Sequence, residues 1–180
     1  MGYIGKQPAS AALTADDITD GIISTAKIAD DAVTSAKVAF SLGKVGQVQS
    51  FRTTNEQSTS STSFVASTIT DSITCSATSS KVLIFVNGGR ASYSGGTAEG
   101  TVHLYYAVGS GSYSSIVNIV NSNVNESGGY GKPAMSFSYL HSPSSTSELH
   151  YKIYYKTNAN TYYLNSGSSS TTITLMEILA

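Results

Sequence analysis

The chain has 180 residues and a formal net charge of −1, and only 12% of its residues are charged. This balance argues against binding to a nucleic-acid backbone, which needs clustered Lys and Arg. The single cysteine, Cys75, excludes disulfide frameworks and sites with several Cys ligands, and the abundance of Ser, Thr, Gly, Asn and Tyr is more typical of β-rich extracellular or virion surfaces than of cytosolic enzymes.

The first twelve residues are predicted to form a separate anchoring peptide. The stretch GYIGKQPA contains two glycines and a proline, so it builds no regular structure unaided. Tyr3 and Ile4 are its only large apolar side chains before Leu13. On an extended end of the chain, these two side chains would fit a groove on another protein.

Residues 13–46 form an internal repeat that predicts a trimeric stalk. DGIISTAKIA aligns with DDAVTSAKVA at a period of ten, and a finer period of five lies beneath it. Every fifth residue moves about 140° round an α-helix and also changes face on a flat strand, so a chain that turns once per repeat, as in a β-helix or spiral, fits better. Six such units need stacked neighbours, most simply three chains about one axis. A short amphipathic helix remains the alternative. The residues expected to hold the trimer are Leu13, Ile18, Ile23, Ile28, Val33 and Val38.

Residues 47–180 are predicted to form a β-rich head. Short apolar runs recur about every ten residues and are separated by turn clusters such as NGG, SGG and GSGS, with no helical periodicity between them. This pattern is typical of a β-sandwich or jelly roll. The predicted strands are Val48–Thr53, Phe64–Ile69, Ser72–Ser76, Lys81–Asn87, Thr101–Val108, Ser115–Val120, Ala134–Leu140, Glu148–Thr157, Tyr162–Asn165 and Thr171–Leu179.

Three of these strands indicate which faces are covered. In LHYKIYYKT, Leu149, Tyr151, Ile153 and Tyr155 share one face, and the opposite face is His150, Lys152, Tyr154 and Lys156. In KVLIFV every position from 82 to 86 is apolar, which predicts cover on both sides. In TTITLMEIL both alternating sets are apolar apart from Glu177, so we expect a subunit interface to supply the second cover.

The polar residues do not form a recognisable catalytic or metal site. The three histidines lack the spacing of metal ligands, and the acidic residues near the N-terminus lack the ligand pattern of a calcium-binding loop. The carboxylates of the head are scattered one per segment, whereas sugar cleavage needs a flanking pair. We therefore expect no enzymatic activity, no metal and no cofactor.

Aromatic residues in glycine-rich loops are the candidate ligand contacts. Arg90 and Tyr93 lie in RASYSGG, Tyr113 lies in GSGSYSS, and Tyr130 lies in SGGYGKP. A tyrosine ring offers a flat face and a hydroxyl, which suit a sugar ring or a protein surface. Alternatively, these rings pack under their loops or in the trimer interface. Without a cationic cluster, such recognition should depend weakly on salt.

Several stretches, taken in order, resemble the tail fibre proteins of marine bacteriophages. They are the GYIGKQPA opening, the ITDGIISTAKIADDAVTSAKVA repeat, and the head stretches VGQVQSF, SSTSF, SATSSKVLIFV, YLHSPSSTSELHYKIYYKT and STTITLMEIL. The resemblance implies a homotrimeric fibre on a virion, with a jelly-roll head built like those of tumour-necrosis-factor-like proteins.

The resemblance also implies a function. Residues 1–12 would dock on another virion structural protein, and the trimeric head would attach to the host by binding a surface glycan or outer-membrane component. The chain is shorter than a usual tail fibre, so a capsid or tail decoration protein, a head fibre with no specific receptor, remains the alternative.

Overall fold

The computed structural model describes residues 28–29, 44–94, 98–124 and 134–179. The chain divides into two compact units, and every described strand belongs to the second, Leu42–Ala180. Of the predicted trimer residues, only Ile28 is described, and its side chain is 39% exposed. The other predicted stalk and anchor residues lie outside the described part of the chain: Tyr3, Ile4, Leu13, Ile18, Ile23, Val33 and Val38.

Eleven strands account for most of the described residues, and one turn of 3-10 helix, Ser166–Ser168, precedes the last of them. In these parts of the chain, no helix is long and apolar enough to cross a membrane. The strands are β1 (Val45–Thr53), β2 (Gln57–Thr59), β3 (Val65–Thr74), β4 (Lys81–Arg90), β5 (Ser92–Ser94), β6 (Ala98–Val108), β7 (Ser114–Val124), β8 (Ala134–His141), β9 (Glu148–Thr157), β10 (Thr161–Leu164) and β11 (Thr171–Ile178).

Two four-stranded antiparallel sheets form a β-sandwich, which confirms the predicted mainly β fold. One sheet has the order β1-β11-β4-β8 and the other has the order β3-β9-β6-β7. The pairs are nested along the chain, from β6 with β7 outward to β1 with β11, and this nesting is the connectivity of a jelly roll. A small third sheet, β2-β10-β5, lies beside them.

The core fills the space between the two large sheets because their strands alternate inward and outward residues. In β9, Leu149, Tyr151, Ile153 and Tyr155 are buried, as their shared face predicts. The inward positions of the other central strands are equally buried, and they are Val82, Ile84 and Val86 in β4, Val102 and Leu104 in β6, and Ile173 and Leu175 in β11.

The loops leave the sandwich at two opposite ends. At the first, the Gly109 end, the β6–β7 loop contacts the start of β9, where the Gly109 N–H donates to the Glu148 carbonyl at 2.7 Å. At the second, the Arg90 end, strand β4 finishes opposite the start of β8, since Arg90 is in register with Ala134. The eleven-residue strand β6 spans the distance between these two ends.

Two glycines allow the chain to pass closely at the Arg90 end. Gly88 and Gly89 both have positive φ angles, 94° and 67°, which other residues rarely adopt. A Cβ atom at Gly88 would collide with the carbonyl oxygen of Ser170, and the Gly89 N–H donates to that same oxygen at 2.6 Å. The NGG stretch, predicted as a turn, therefore belongs to the last part of β4, where the pairing of β4 with β8 is irregular.

Three details of the predicted strands are wrong. Phe64–Ile69 and Ser72–Ser76 belong to a single strand, β3, because a bulge between Ala66 and Thr70 keeps both halves paired with β9. The short strands β2 and β5 were not predicted, since they lie in Ser- and Thr-rich stretches that resemble turns and depend on β10 for their pairing. Strand β1 begins at Val45, two residues before the predicted start of the head.

Candidate functional site

The structure does not bring the predicted ligand contacts together. Arg90 and Tyr93 lie at the Arg90 end, whereas Tyr113 lies in the loop at the Gly109 end. Tyr130 lies outside the described residues. The described residues of the predicted site therefore cannot contact one ligand at a single end of the sandwich.

The expectation that Tyr93 lies in an exposed loop is wrong. Its side chain is only 6% exposed and belongs to the core, in the short strand β5. The Tyr93 ring packs against Tyr162 of β10 with ring centroids 4.8 Å apart. Burial occurs because β5 pairs with β10 and turns this ring inward, so it presents no surface to a ligand.

Arg90 remains exposed at the end of β4. Its backbone N–H donates to the Ser169 hydroxyl at 2.7 Å, which fixes the backbone beside the 3-10 turn. The side chain lies beside the 3-10 turn, with its Nη1 atom 3.5 Å from the position that a Cβ atom at Gly167 would occupy.

Tyr113 folds back from its loop onto the outer surface of β9. Its ring centroid lies 5.8 Å from that of Tyr154. The ammonium group of Lys152 lies over the same ring, 5.0 Å from its centroid. Tyr113 is half-buried by these contacts, and it joins a larger group of side chains on the sheet.

We call this group the aromatic face, and it lies on the outer side of the β3-β9-β6-β7 sheet. Tyr105 stacks on Tyr154 with centroids 4.2 Å apart. The ring centroids of Phe64 and His103 lie 4.3 Å apart. The Lys156 ammonium group lies over the Phe64 ring, 4.8 Å from its centroid. The members of the aromatic face are Phe64, His103, Tyr105, Tyr113, Lys152, Tyr154 and Lys156, all of them half-buried.

Strand pairing explains why these side chains meet. His103 is in register with Tyr154, and Tyr105 is in register with Lys152, so all four point away from the core on adjacent strands. Cross-strand neighbours on one face are within reach of each other when their side chains are large. Phe64 extends the row because it comes directly before β3, which pairs with the other edge of β9.

The aromatic face is positively charged and hydroxyl-rich. Burial lowers the pKa of His103, and the nearby Lys156 lowers it further, so this imidazole is neutral at pH 7. Burial raises the pKa of Tyr154, and Tyr113 and Tyr105 add to the effect, so the phenol keeps its proton. Among the described residues, neither Lys152 nor Lys156 forms a salt bridge with a carboxylate.

The outer side of the other large sheet carries a row of apolar side chains, and we call this row, together with Phe85, the apolar face. The row crosses all four strands, from Val48 through Met176 and Leu83 to Leu140, as the register of the three strand pairs shows. Val48 and Leu140 are 50% and 49% exposed, and Leu83 and Met176 are half-buried. Phe85 lies beside this row on the same side of β4.

A buried carboxylate lies at the Gly109 end, on the inner side of β11. Glu177 accepts a hydrogen bond from the Gln47 amide at 2.9 Å, and from the backbone N–H and hydroxyl of Ser76 at 2.6 and 2.7 Å. Burial alone would raise its pKa, but these hydrogen bonds outweigh it and lower the pKa to about 2. The carboxylate thus connects β1, β11 and the turn after β3.

Within the described residues, no group of three or more His, Cys, Asp or Glu side chains is placed to bind a metal. Cys75 is buried, and burial raises the pKa of its thiol. Neither observation indicates a catalytic group among the described residues.

Sequence reasoning missed most of the aromatic face. Alternation in LHYKIYYKT places Lys152, Tyr154 and Lys156 on the side opposite the core. What alternation could not show was that β6 lies next to β9, because strand neighbours that are distant in sequence leave no local signal. A search for aromatic residues at outward positions of two strands would have found the candidates.

No protein-family model and no curated protein sequence matches this chain. Solved structures of the VP2 protein of infectious bursal disease virus are similar at a low level. A VP2 subviral particle aligns with a TM-score of 0.44 and 10% identity, over 73% of this chain and 33% of that chain. The T=1 particles derived from the virus align with a TM-score of 0.45 and 8% identity, over 76% of this chain and 37% of that chain. The aligned region thus spans about a third of the VP2 chains, and a likeness at this level supports no conclusion about function.

Proposed function

We propose that this chain is a structural component of a virion, a fibre protein whose trimeric head attaches to the host cell surface. The observation that carries the proposal is the apolar face. It is a second apolar surface, besides the core between the two sheets, and in a single chain it is in contact with water. The resemblance of the N-terminal repeat and the head stretches to phage tail fibre proteins supports the virion location, with residues 1–12 docking on another virion protein. The chain acts by binding, without catalysis.

The apolar face supports the trimer because its row spans the full width of a sheet. Val48 and Leu140 lie on the two edge strands, and Met176 and Leu83 lie on the two central ones. Covering such side chains removes apolar surface from water, and this burial favours association. If three copies packed together through this face, the apolar side chains that are exposed in one chain would be buried in the assembly.

A matched pair of valines tests the assembly. Val48 lies on the apolar face, and Val108 is similarly exposed, at 38%, on the other large sheet. We expect Val48→Glu to dissociate the head, because it would place three unpaired charges in the interface, while Val108→Glu leaves the assembly intact. Both changes are made in a chain that carries Ile23→Asp and Ile28→Asp, so that the predicted stalk does not hold the three copies together. Sedimentation measures both, and a monomeric parent chain or a trimeric Val48→Glu variant would refute the interface.

Host attachment needs a separate measurement. Gold-labelled antibody against the head locates the protein on the particle, and purified trimer added in excess should compete with the particle for adsorption to its host. Competition supports attachment by the head. Labelled particles whose adsorption is unaffected by the free trimer would instead favour the decoration protein, which has no specific receptor.

A further inference from the structure

We infer that the aromatic face binds an acidic oligosaccharide, with ligand carboxylates at Lys152 and Lys156 and ligand hydroxyls at the tyrosines between them. The inference deepens the proposed function by naming the ligand class, and it depends on that proposal only for its biological role. It differs from the sequence-based expectation, which placed recognition in the loops and made it insensitive to salt.

The geometry of the rings decides what they offer. Side chains stand roughly perpendicular to a sheet, and Tyr105 and Tyr154 cover each other's faces at 4.2 Å. Lys152 and Lys156 lie over the rings of Tyr113 and Phe64. With faces already engaged inside the row, the tyrosines present mainly their hydroxyl-bearing edges to water. The surface is therefore suited to hydrogen bonding and to negative charge, more than to stacking.

The two lysines supply a spaced pair of positive charges. They lie four residues apart on the same side of β9, which separates their backbones by about 13 Å. The ring beneath each ammonium group restricts the lysine side chain, so less conformational freedom is lost when an anion binds. Within the described chain neither ammonium group forms a salt bridge with a carboxylate. Glu148, on the same side of β9, contacts the ring of His150, with Oε2 and Nε2 3.5 Å apart.

An acidic oligosaccharide matches these features together. A carboxylate on every second sugar ring gives negative charges at a spacing comparable to that of the lysines, and the intervening sugar hydroxyls can pair with the hydroxyls of Tyr105 and Tyr154. Nucleic acid matches less well, because two lysines beside a neutral His103 are too few for a backbone of closely spaced phosphates.

The experiment is calorimetry of the full-length protein with hyaluronan oligosaccharides, in which every second ring carries a carboxylate. Dextran oligosaccharides serve as the uncharged probe and oligo-dT as the phosphate probe. We expect hyaluronan to bind at about 0.01 M salt and to weaken strongly at about 0.5 M, because salt screens exposed charges. Equal affinity for dextran or for oligo-dT would overturn the assignment to acidic sugars.

Variants locate the binding. Lys152→Gln and Lys156→Gln should each weaken hyaluronan binding by roughly two- to fivefold, the range of exposed ion pairs. Lys44→Gln, an exposed lysine at the start of the head, is the charge-matched control and should bind as wild type. Lys152→Arg keeps a charge over the Tyr113 ring and should retain binding, which separates lost charge from lost packing.

The contribution of the tyrosine hydroxyls is tested with a second variant and its matched control. Tyr154→Phe should weaken binding while preserving the stack on Tyr105, and Tyr163→Phe in β10, outside the aromatic face, should not. A wild type that binds no hyaluronan at low salt, or a Lys152→Gln, Lys156→Gln double variant that binds as tightly as wild type, would overturn the inference. Neither result bears on the proposed function, which the trimer and the adsorption competition test separately.

Discussion

The two outer faces of the sandwich occupy equivalent positions but differ in chemistry. Both contain residues that alternate with the core. The row of the apolar face crosses four strands, whereas the aromatic face lies on β6 and β9 and is completed by Phe64 before β3 and Tyr113 before β7. On the apolar face one row of these residues is aliphatic, with Phe85 beside it, and polar residues such as Ser50 and Thr174 flank the row. Contact between the aliphatic row and water is unfavourable, so permanent cover of the row is favoured. On the aromatic face the side chains carry hydroxyls and ammonium groups, which remain compatible with water. The inward-facing apolar residues thus determine the sandwich fold. The outward-facing residues determine which outer face is suited to a permanent interface and which to reversible binding.

The largest expected effect is on the free energy of unfolding, and it distinguishes a tyrosine of the core from a tyrosine of the aromatic face. Tyr93→Ala removes a buried ring from its contact with Tyr162 and should lower the free energy of unfolding by about 3 kcal/mol or more. Tyr113→Ala removes a half-buried ring from the aromatic face and should cost less than about 1 kcal/mol. Urea unfolding measures both, and similar losses would mean that Tyr113 is a packing residue.

Neighbouring residues of β11 test the apolar face in the same way. Leu175 is fully buried in the core, and Leu175→Ala should cost about 2–5 kcal/mol at any protein concentration. Met176 lies on the apolar face, so Met176→Ala should chiefly weaken association and make unfolding more sensitive to dilution. Urea unfolding at two protein concentrations distinguishes these cases, and a concentration-independent loss at Met176 would contradict its role in the interface.

A smaller effect is expected on the pH dependence of stability, and it comes from the buried carboxylate of Glu177 on the inner side of β11. The pKa of Glu177 falls from 4.5 to about 2 on folding, so its ionised form stabilises the head above pH 4.5. That stabilisation, on the order of 3 kcal/mol, is lost as the pH falls from 4.5 to 2. Glu177→Gln should flatten the dependence of stability on pH in this window. An unchanged acid limb in the variant would show that other groups control it.

The sequence predicted the strands well because alternation and turn residues are local signals. Glu148–Thr157 was predicted to the residue, and most other boundaries lie within three residues of the structure. The neighbours of each strand were not predictable, since β9 lies between β3 and β6 only after the nested pairs form. For the same reason Tyr93 was assigned to a loop: its burial depends on β10, almost seventy positions further along the chain.

The candidate site was predicted only in part, and for a related physical reason. Tyr113 was found from its glycine-rich loop, but its neighbours Tyr105 and Tyr154 come from two strands that pair only in the folded sheet. Glu177 appeared to be an isolated polar residue in an apolar strand. Its partners Gln47 and Ser76 lie 130 and 101 residues away, which no local pattern reveals.

The pairing of β1 with β11 has a consequence for the synthesis of the protein. Among the described strands of the large sheets, the first pairs with the last alone, and the Glu177 carboxylate joins the two across 130 residues of sequence. During translation, β1 therefore stays unpaired until β11 leaves the ribosome, and the head closes late, around its most distant contacts. Until then the backbone of β1 lacks its hydrogen-bonding partner on the nascent chain, which makes this interval the one in which aggregation or help from a chaperone matters most.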